Sequence, residues 1–184
     1  CFSQPLANSL HNCTKLTHIE FGYNFSQPLD NFLNNCTSLT ILVFGRDFNK
    51  PLANSLDNCT ALTHIVFGEY FNCPLLNSLH NLISLTHLTF NLCFNHSLGN
   101  SLDNCTSLTH IVFGEMFNCP LDNSLNNCIS LTSLTFGASF NMLLSDELYN
   151  CKFLTHLGLG FNFNQKWNLP LELQFLSLDS NNMF

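Results

Sequence analysis

Phenylalanine returns every 23 residues along this chain, at Phe2, Phe25, Phe48, Phe71, Phe94, Phe117, Phe140 and Phe163, and no insertion disturbs the spacing. A fixed period of this length constrains the fold more than any local motif does. Each unit is one small element that can bury its apolar face only against copies of itself. Written from each such Phe, the unit is F-N-x-P-L-x-N-S-L-x-N-C-T-S-L-T-H-L-x-F-G-x-x, and seven full copies fit. The stretches FNCPLLNSLHNLISLTHLTF from Phe71 and FNCPLDNSLNNCISLTSLTF from Phe117 show how closely two copies agree.

Two hydrophobic periods follow one another inside a unit. In the second copy Leu29, Leu33 and Cys36 recur at i, i+4 and i+7, which predicts one face of a short helical segment. Pro28 stands just before it, where a missing N–H costs little. Leu39, Leu42 and Phe44 then follow as L-x-x-L-x-F, a short strand with Gly45 as its stop. The expected architecture is therefore an α/β solenoid. It is right-handed, with a parallel β-sheet on its concave face and short helical segments on the convex side. Residues 1–184 read as a single repeat domain of seven 23-residue units plus a shortened C-terminal coil, where the step from Leu154 to Leu173 is 19 residues.

The segment LTHIVFGEYFN from Leu62 resembles the strand half of a leucine-rich repeat, with Phe67 in the slot usually held by a third leucine. The opening F-N-x-P-L and the closing FNQKWNLPLELQFLSLDSNNMF are similar to FNIP repeats, known from amoebae and large amoeba-infecting viruses. The segment NCTSLTHI at Asn104 resembles the BspA-like subclass, in which a cysteine precedes the strand, found on bacterial and protist surfaces. One departure is plain. The asparagine that usually follows the strand by two residues is replaced at many copies, as by Tyr70, Cys93 and Met116, so the Asn after each repeat Phe, such as Asn72 and Asn118, is expected to tie the turn instead. The resemblance implies a protein-binding module that uses its concave sheet.

A charged fraction of only 9% fits a stack in which every inward position meets the same position of its neighbours. The column Phe21, Phe44, Phe67, Phe90, Phe113 and Phe136 is expected in the core, at about 2 kcal/mol per buried ring. The asparagines Asn12, Asn35, Asn58, Asn81, Asn104, Asn127 and Asn150 form a second column, with amides placed to bond the turns and each other. Cys13, Cys36, Cys59, Cys105, Cys128 and Cys151 share one repeat position, and the copy between them carries Leu82 there, which marks an apolar packing site. Neighbours in such a column stand about 4.8 Å apart, wider than the roughly 3.8 Å between Cβ atoms that a disulfide prefers. Free buried thiols, and with them a reducing compartment or a virion, are expected. Asn12, Asn35, Asn58 and Asn104 each begin an N-C-T triplet, which is formally a glycan acceptor, and they are expected to lie against the core without room for a sugar.

The candidate binding residues come from the strand position that follows Thr. It reads His18, Ile41, His64, His87, His110, Ser133, His156 and, in the short last coil, Phe175. Val66, Thr89 and Val112 run beside the three consecutive histidines, and Thr63, Thr86 and Thr109 precede them. Imidazoles on neighbouring strands could converge on zinc or copper. Against that, straight columns keep side chains parallel, and the acidic partners that orient metal-bound histidine are scarce in this lane. The plainer reading is an exposed β residue copied by repeat duplication. The column Cys73, His96 and Cys119 fails as a metal site on spacing, its outer sulfurs starting near 10 Å apart, or about two strand spacings. No cofactor is expected.

Catalysis finds no support. Cys151 faces the core and His156 solvent, and there is no Gly-rich phosphate loop. Five basic residues against twelve acidic, a formal charge of −7, make nucleic acid a poor partner, and no apolar run suits membrane insertion. Two function classes remain: a non-enzymatic protein-protein interaction scaffold, which would act as an adaptor were an F-box fused to it, or a structural component of a large assembly such as a virus particle, filament or surface layer. The opening at Cys1-Phe2 shows no polar cap, Trp167 and Phe175 are placed to close part of the far end, and the chain stops at Asn182-Met183-Phe184. At least one end is accordingly expected to be covered by further sequence, a second copy or a partner subunit.

Overall fold

The computed structural model describes residues 6, 9–10, 12–144, 146–166 and 172–178. Cys1, Phe2, Trp167 and the segment Asn182-Met183-Phe184 lie outside these residues. Eight strands of three residues each form one parallel sheet in strict sequence order: β1 (His18–Glu20), β2 (Ile41–Val43), β3 (His64–Val66), β4 (His87–Thr89), β5 (His110–Val112), β6 (Ser133–Thr135), β7 (His156–Gly158) and β8 (Phe175–Ser177). The register pairs every residue with its repeat equivalent, as in His64 with His87 and His87 with His110. Even the shortened last coil keeps it, with His156 opposite Phe175. The molecule is therefore a parallel β-solenoid.

The predicted helical segments are absent among the described residues, so the fold is not the α/β arrangement that the spacing suggested. Where the helix was expected, the backbone makes a series of separate turns, each closed by a bond from an N–H to the carbonyl three residues back: Ser55 to Leu52, Asp57 to Asn54, Cys59 to Leu56 and Leu62 to Cys59. The physical reason lies at the sixth repeat position. Asp30, Ala53, Leu76 and Asp122 all have positive φ, between 42° and 53°, and Gly99 occupies the same site at 53°. A left-handed residue right after the Pro-Leu pair stops a right-handed helix before its second turn. Asn and Ser in the following positions then favour turns over helix. The inward pattern survives all the same, since Leu29, Leu33 and Cys36 are almost fully buried.

Coils are joined by bonds that repeat with the sequence. The Thr40 carbonyl oxygen accepts the N–H of Thr63, the N–H of His64 and the hydroxyl of Thr63, and the same trio falls on Thr63, Thr86, Thr109 and Thr132, with Ser133 supplying an N–H in the histidine's place in one coil. On the far side of each strand the N–H points the other way along the stack, as from Phe67 to the Thr89 carbonyl. The asparagine after each repeat Phe adds a ladder of its own. Asn49, Asn72, Asn95, Asn118 and Asn141 each offer Oδ1 to the backbone N–H of the equivalent asparagine one coil on, at 2.8–3.0 Å. The expected tie is thus real, but it fastens one coil to the next instead of closing its own turn.

Inside, two phenylalanine columns run side by side. Rings of the strand column stack from Phe44 to Phe136 with centroids 5.0–5.5 Å apart, and each also lies on the Phe four residues later, as Phe90 does on Phe94 at 4.1 Å. The glycine after the strand column permits this closeness. A Cβ on Gly68 would run into the Gly45 backbone, and one on Gly114 into the Asn91 backbone. The cysteine column is buried at Cys36, Cys59, Cys105, Cys128 and Cys151, while Cys13 in the first coil is only half-buried, and all six are free. Cys59 and Cys105 donate S–H to the Leu33 and Leu79 carbonyls of the preceding coil at 3.7 and 3.5 Å, a weak bond that leucine could not make. Burial pushes the thiols of Cys59 and Cys105 up to about 12 and that of Cys151 to about 11.

The triplet asparagines are corrected by the structure. Asn12, Asn58 and Asn104 are exposed and Asn35 is half-buried, because the turn sends only the middle cysteine inward. Asn58 donates from Nδ2 to the Asn34 carbonyl at 3.1 Å, which agrees with an amide bonding the turn of the coil before.

Candidate functional site

The short strands set the site. In a strand, alternate residues face opposite sides, so Ile65, Leu88 and Ile111 enter the core while the residues on either side of each face outward. All eleven predicted positions, the half-buried Ser133 among them, lie on that outward face. His18, His110, His156 and Phe175 are exposed, and Ile41, His64, Val66, His87, Thr89 and Val112 are half-buried. The sheet brings His64, His87 and His110 together. Their rings stack nearly parallel, with centroids 4.3 and 4.4 Å apart and interplanar angles of 7° and 8°. His18 and His156 are separated from this trio by Ile41 on β2 and Ser133 on β6, and His156 instead meets the Phe175 ring at 5.6 Å.

Each histidine is held by the threonine before it. The Nδ1 atoms of His64, His87 and His110 lie 2.9 Å from the Oγ1 atoms of Thr63, Thr86 and Thr109, and that of His156 lies 2.8 Å from Thr155. Burial, and behind it the imidazoles of His110 and His64, hold His87 below the ordinary range. The threonine support is a feature of this face that the spacing alone does not predict. The recurring Thr-His pair was its signal.

Other expected chemistry is used up in holding coils together. Cys73 and Cys119 donate to Asn49 Oδ1 and Asn95 Oδ1 at 3.2 and 3.3 Å, and His96 Nε2 lies 3.0 Å from the Asn72 carbonyl oxygen. Among the described residues no three His, Cys, Asp or Glu side chains gather to hold a metal ion, and no helix is long and apolar enough to cross a membrane. The one arginine of the chain, Arg46, spans three coils. Its Nε donates to Glu69 Oε2 at 2.8 Å, its Nη1 to the Tyr23 hydroxyl and its Nη2 to the Tyr70 hydroxyl, with the guanidinium 5.1 and 4.8 Å from the two ring centroids.

Parallel three-residue strands in sequence order, stacked at a 23-residue period with a leucine-lined core, define a leucine-rich-repeat solenoid. The profile described as the BspA type leucine rich repeat region matches in six copies across residues 7–101 and 53–155, and the chain belongs to that family. No curated protein matches it by sequence. Among solved structures it is similar to CroV588, a giant-virus protein described as a novel circular LRR protein, with 33% identity, a TM-score of 0.71 and 89% of this chain covered. It is also similar in fold to an internalin, InlF, of Listeria monocytogenes, with 20% identity, a TM-score of 0.72 and 94% of this chain covered. The chain spans 27% of CroV588 and 50% of the internalin.

Proposed function

We propose that the chain is a non-enzymatic protein-protein interaction scaffold and that the outward face of its sheet is where the partner lands. One observation carries this reading: eight strands in unbroken register turn the same two positions of every coil outward, so His64, His87 and His110 and their neighbours Val66, Thr89 and Val112 make one continuous uncharged surface. Interfaces bury charge reluctantly and use apolar and aromatic surface at their centres. Membership of a leucine-rich-repeat family agrees with such a role.

The test is a pair of surface variants. Val66→Glu with Val112→Glu places charge in the centre of the face and should abolish capture of the partner that the unmodified chain retains from a lysate. A control pair on the turns, Asn54→Asp with Asn123→Asp, should leave capture intact. Equal capture by both pairs would move the binding surface elsewhere.

A further inference from the structure

The hydrogen bonds of the threonine ladder decide which tautomer the histidine row adopts. Thr63, Thr86 and Thr109 each have one hydroxyl proton, and each gives it to the carbonyl oxygen of the threonine one coil earlier, at 3.0, 2.9 and 3.0 Å. Their oxygens can then only accept from the adjacent imidazoles, so His64, His87 and His110 carry hydrogen on Nδ1. That leaves three Nε2 lone pairs side by side on one outward-facing lane. The row can accept hydrogen bonds and has none left to give.

We propose that this row docks a basic, arginine- or lysine-bearing segment of the protein partner, with its N–H groups donating to the Nε2 atoms of His64, His87 and His110. The inference rests on the outward-face reading above and names the partner's chemistry. The lane itself is uncharged, so its attraction for such a segment comes from its acceptors, and the formal charge of −7 over the whole chain adds long-range steering of a basic partner. An acidic segment would need the imidazoles protonated, and rings stacked at 4.3 and 4.4 Å oppose that by placing like charges face to face. Nothing on the flanking strands relieves the repulsion, because β2 turns Ile41 and Val43 outward and β6 Ser133 and Thr135. The groups acting on the central ring are His64 and His110 themselves. Protonation of the central His87 ring therefore removes its acceptor and adds repelling charge at the same place, so docking weakens as pH falls.

An oligo-arginine peptide, with an oligo-glutamate peptide as counter-probe, tests this on the whole chain by calorimetry at neutral pH. His87→Phe keeps the ring and the net charge but deletes the central acceptor, and it should weaken oligo-arginine about tenfold, the worth of one hydrogen bond to a charged donor. His87→Gln, which restores an acceptor, should recover most of the loss. Long-range proton-nitrogen NMR should find the hydrogen of all three imidazoles on Nδ1. Hydrogen on Nε2, equal oligo-arginine binding by the Phe variant, or tighter binding of oligo-glutamate at neutral pH would each overturn the proposal. Those results leave the outward-face reading standing, because that reading fails only if charge at Val66 and Val112 leaves partner capture unchanged.

Discussion

The phenylalanine column at Phe44, Phe67, Phe90, Phe113 and Phe136 and the imidazole row at His64, His87 and His110 belong to the same coils, three residues apart on opposite faces of one sheet. Both are stacks of flat rings at one repeat per coil. The inner column runs unbroken from Phe21 to Phe136 and passes to the buried Leu159 in the next coil, because a polar or much smaller side chain there would leave a void among its neighbours. The outer row stops at Ile41 and Ser133, where the sheet continues unchanged. Packing thus enforces repetition inside and only permits it outside. An uninterrupted run on the outer face is a property of the surface and not a demand of the fold.

The sharpest way to break the inner side is through the backbone. Gly114→Ala puts a Cβ into the Asn91 main chain, which cannot move aside as a side chain would, and should cost more than the about 1–3 kcal/mol of ordinary overpacking, read as a fall in the urea midpoint. Phe90→Ala should cost about 3–5 kcal/mol by emptying a fully buried site packed against the rings of Phe67, Phe94 and Phe113.

The cysteines sharpen the comparison without a mutation. At pH 8 a thiol reagent should reach the half-buried Cys13, Cys73, Cys93 and Cys119 in the folded protein. Cys59, Cys105 and Cys151 should label only on unfolding, since burial raises those thiols far above that pH and shields them. Rapid labelling of the inner three would mean that the core is not closed.

The smallest effect belongs to the outer row. His87→Ala should change stability by less than about 1 kcal/mol, because the side chain is half-exposed and makes one hydrogen bond. Its titration has a definite sign. With its folded value lowered, His87 takes up a proton more readily in the unfolded chain. Its contribution is therefore complete above about pH 6.5 and shrinks as pH falls below that. Removing His64 and His110 together should reduce this pH dependence. An unchanged slope would show that burial alone lowers the value.

Much of this was legible in the sequence, and for a clear reason. Register, the parallel sheet and the inward Phe, Leu and Cys columns follow from equal spacing, which admits only one way of stacking. Leu29, Leu33 and Cys36 face inward as their spacing predicts but form no helix, because a series of turns can reproduce the i, i+4, i+7 pattern of a helix. The left-handed residue that makes the difference is Asp30 in one coil and Ala53 or Leu76 in others, and no residue type announces it. The triplet asparagines failed similarly, since a neighbouring buried cysteine says nothing about which way the preceding side chain turns. For the histidines, spacing gave the lane, but the proton's position depends on a threonine hydroxyl already committed to another coil.

The polar ladders run in one sense along the stack: each threonine hydroxyl points back to the coil before it, and each asparagine oxygen waits for the coil after it. Such a molecule, gripped at its two ends and stretched, carries the load through identical junctions in series, so no single junction acts as the strong clamp. Force spectroscopy should then show a train of small, nearly equal rips in place of one large rupture. Each would release roughly 80 Å of chain, 23 residues at about 3.5 Å each, so that under tension the protein would lengthen in even steps, coil by coil.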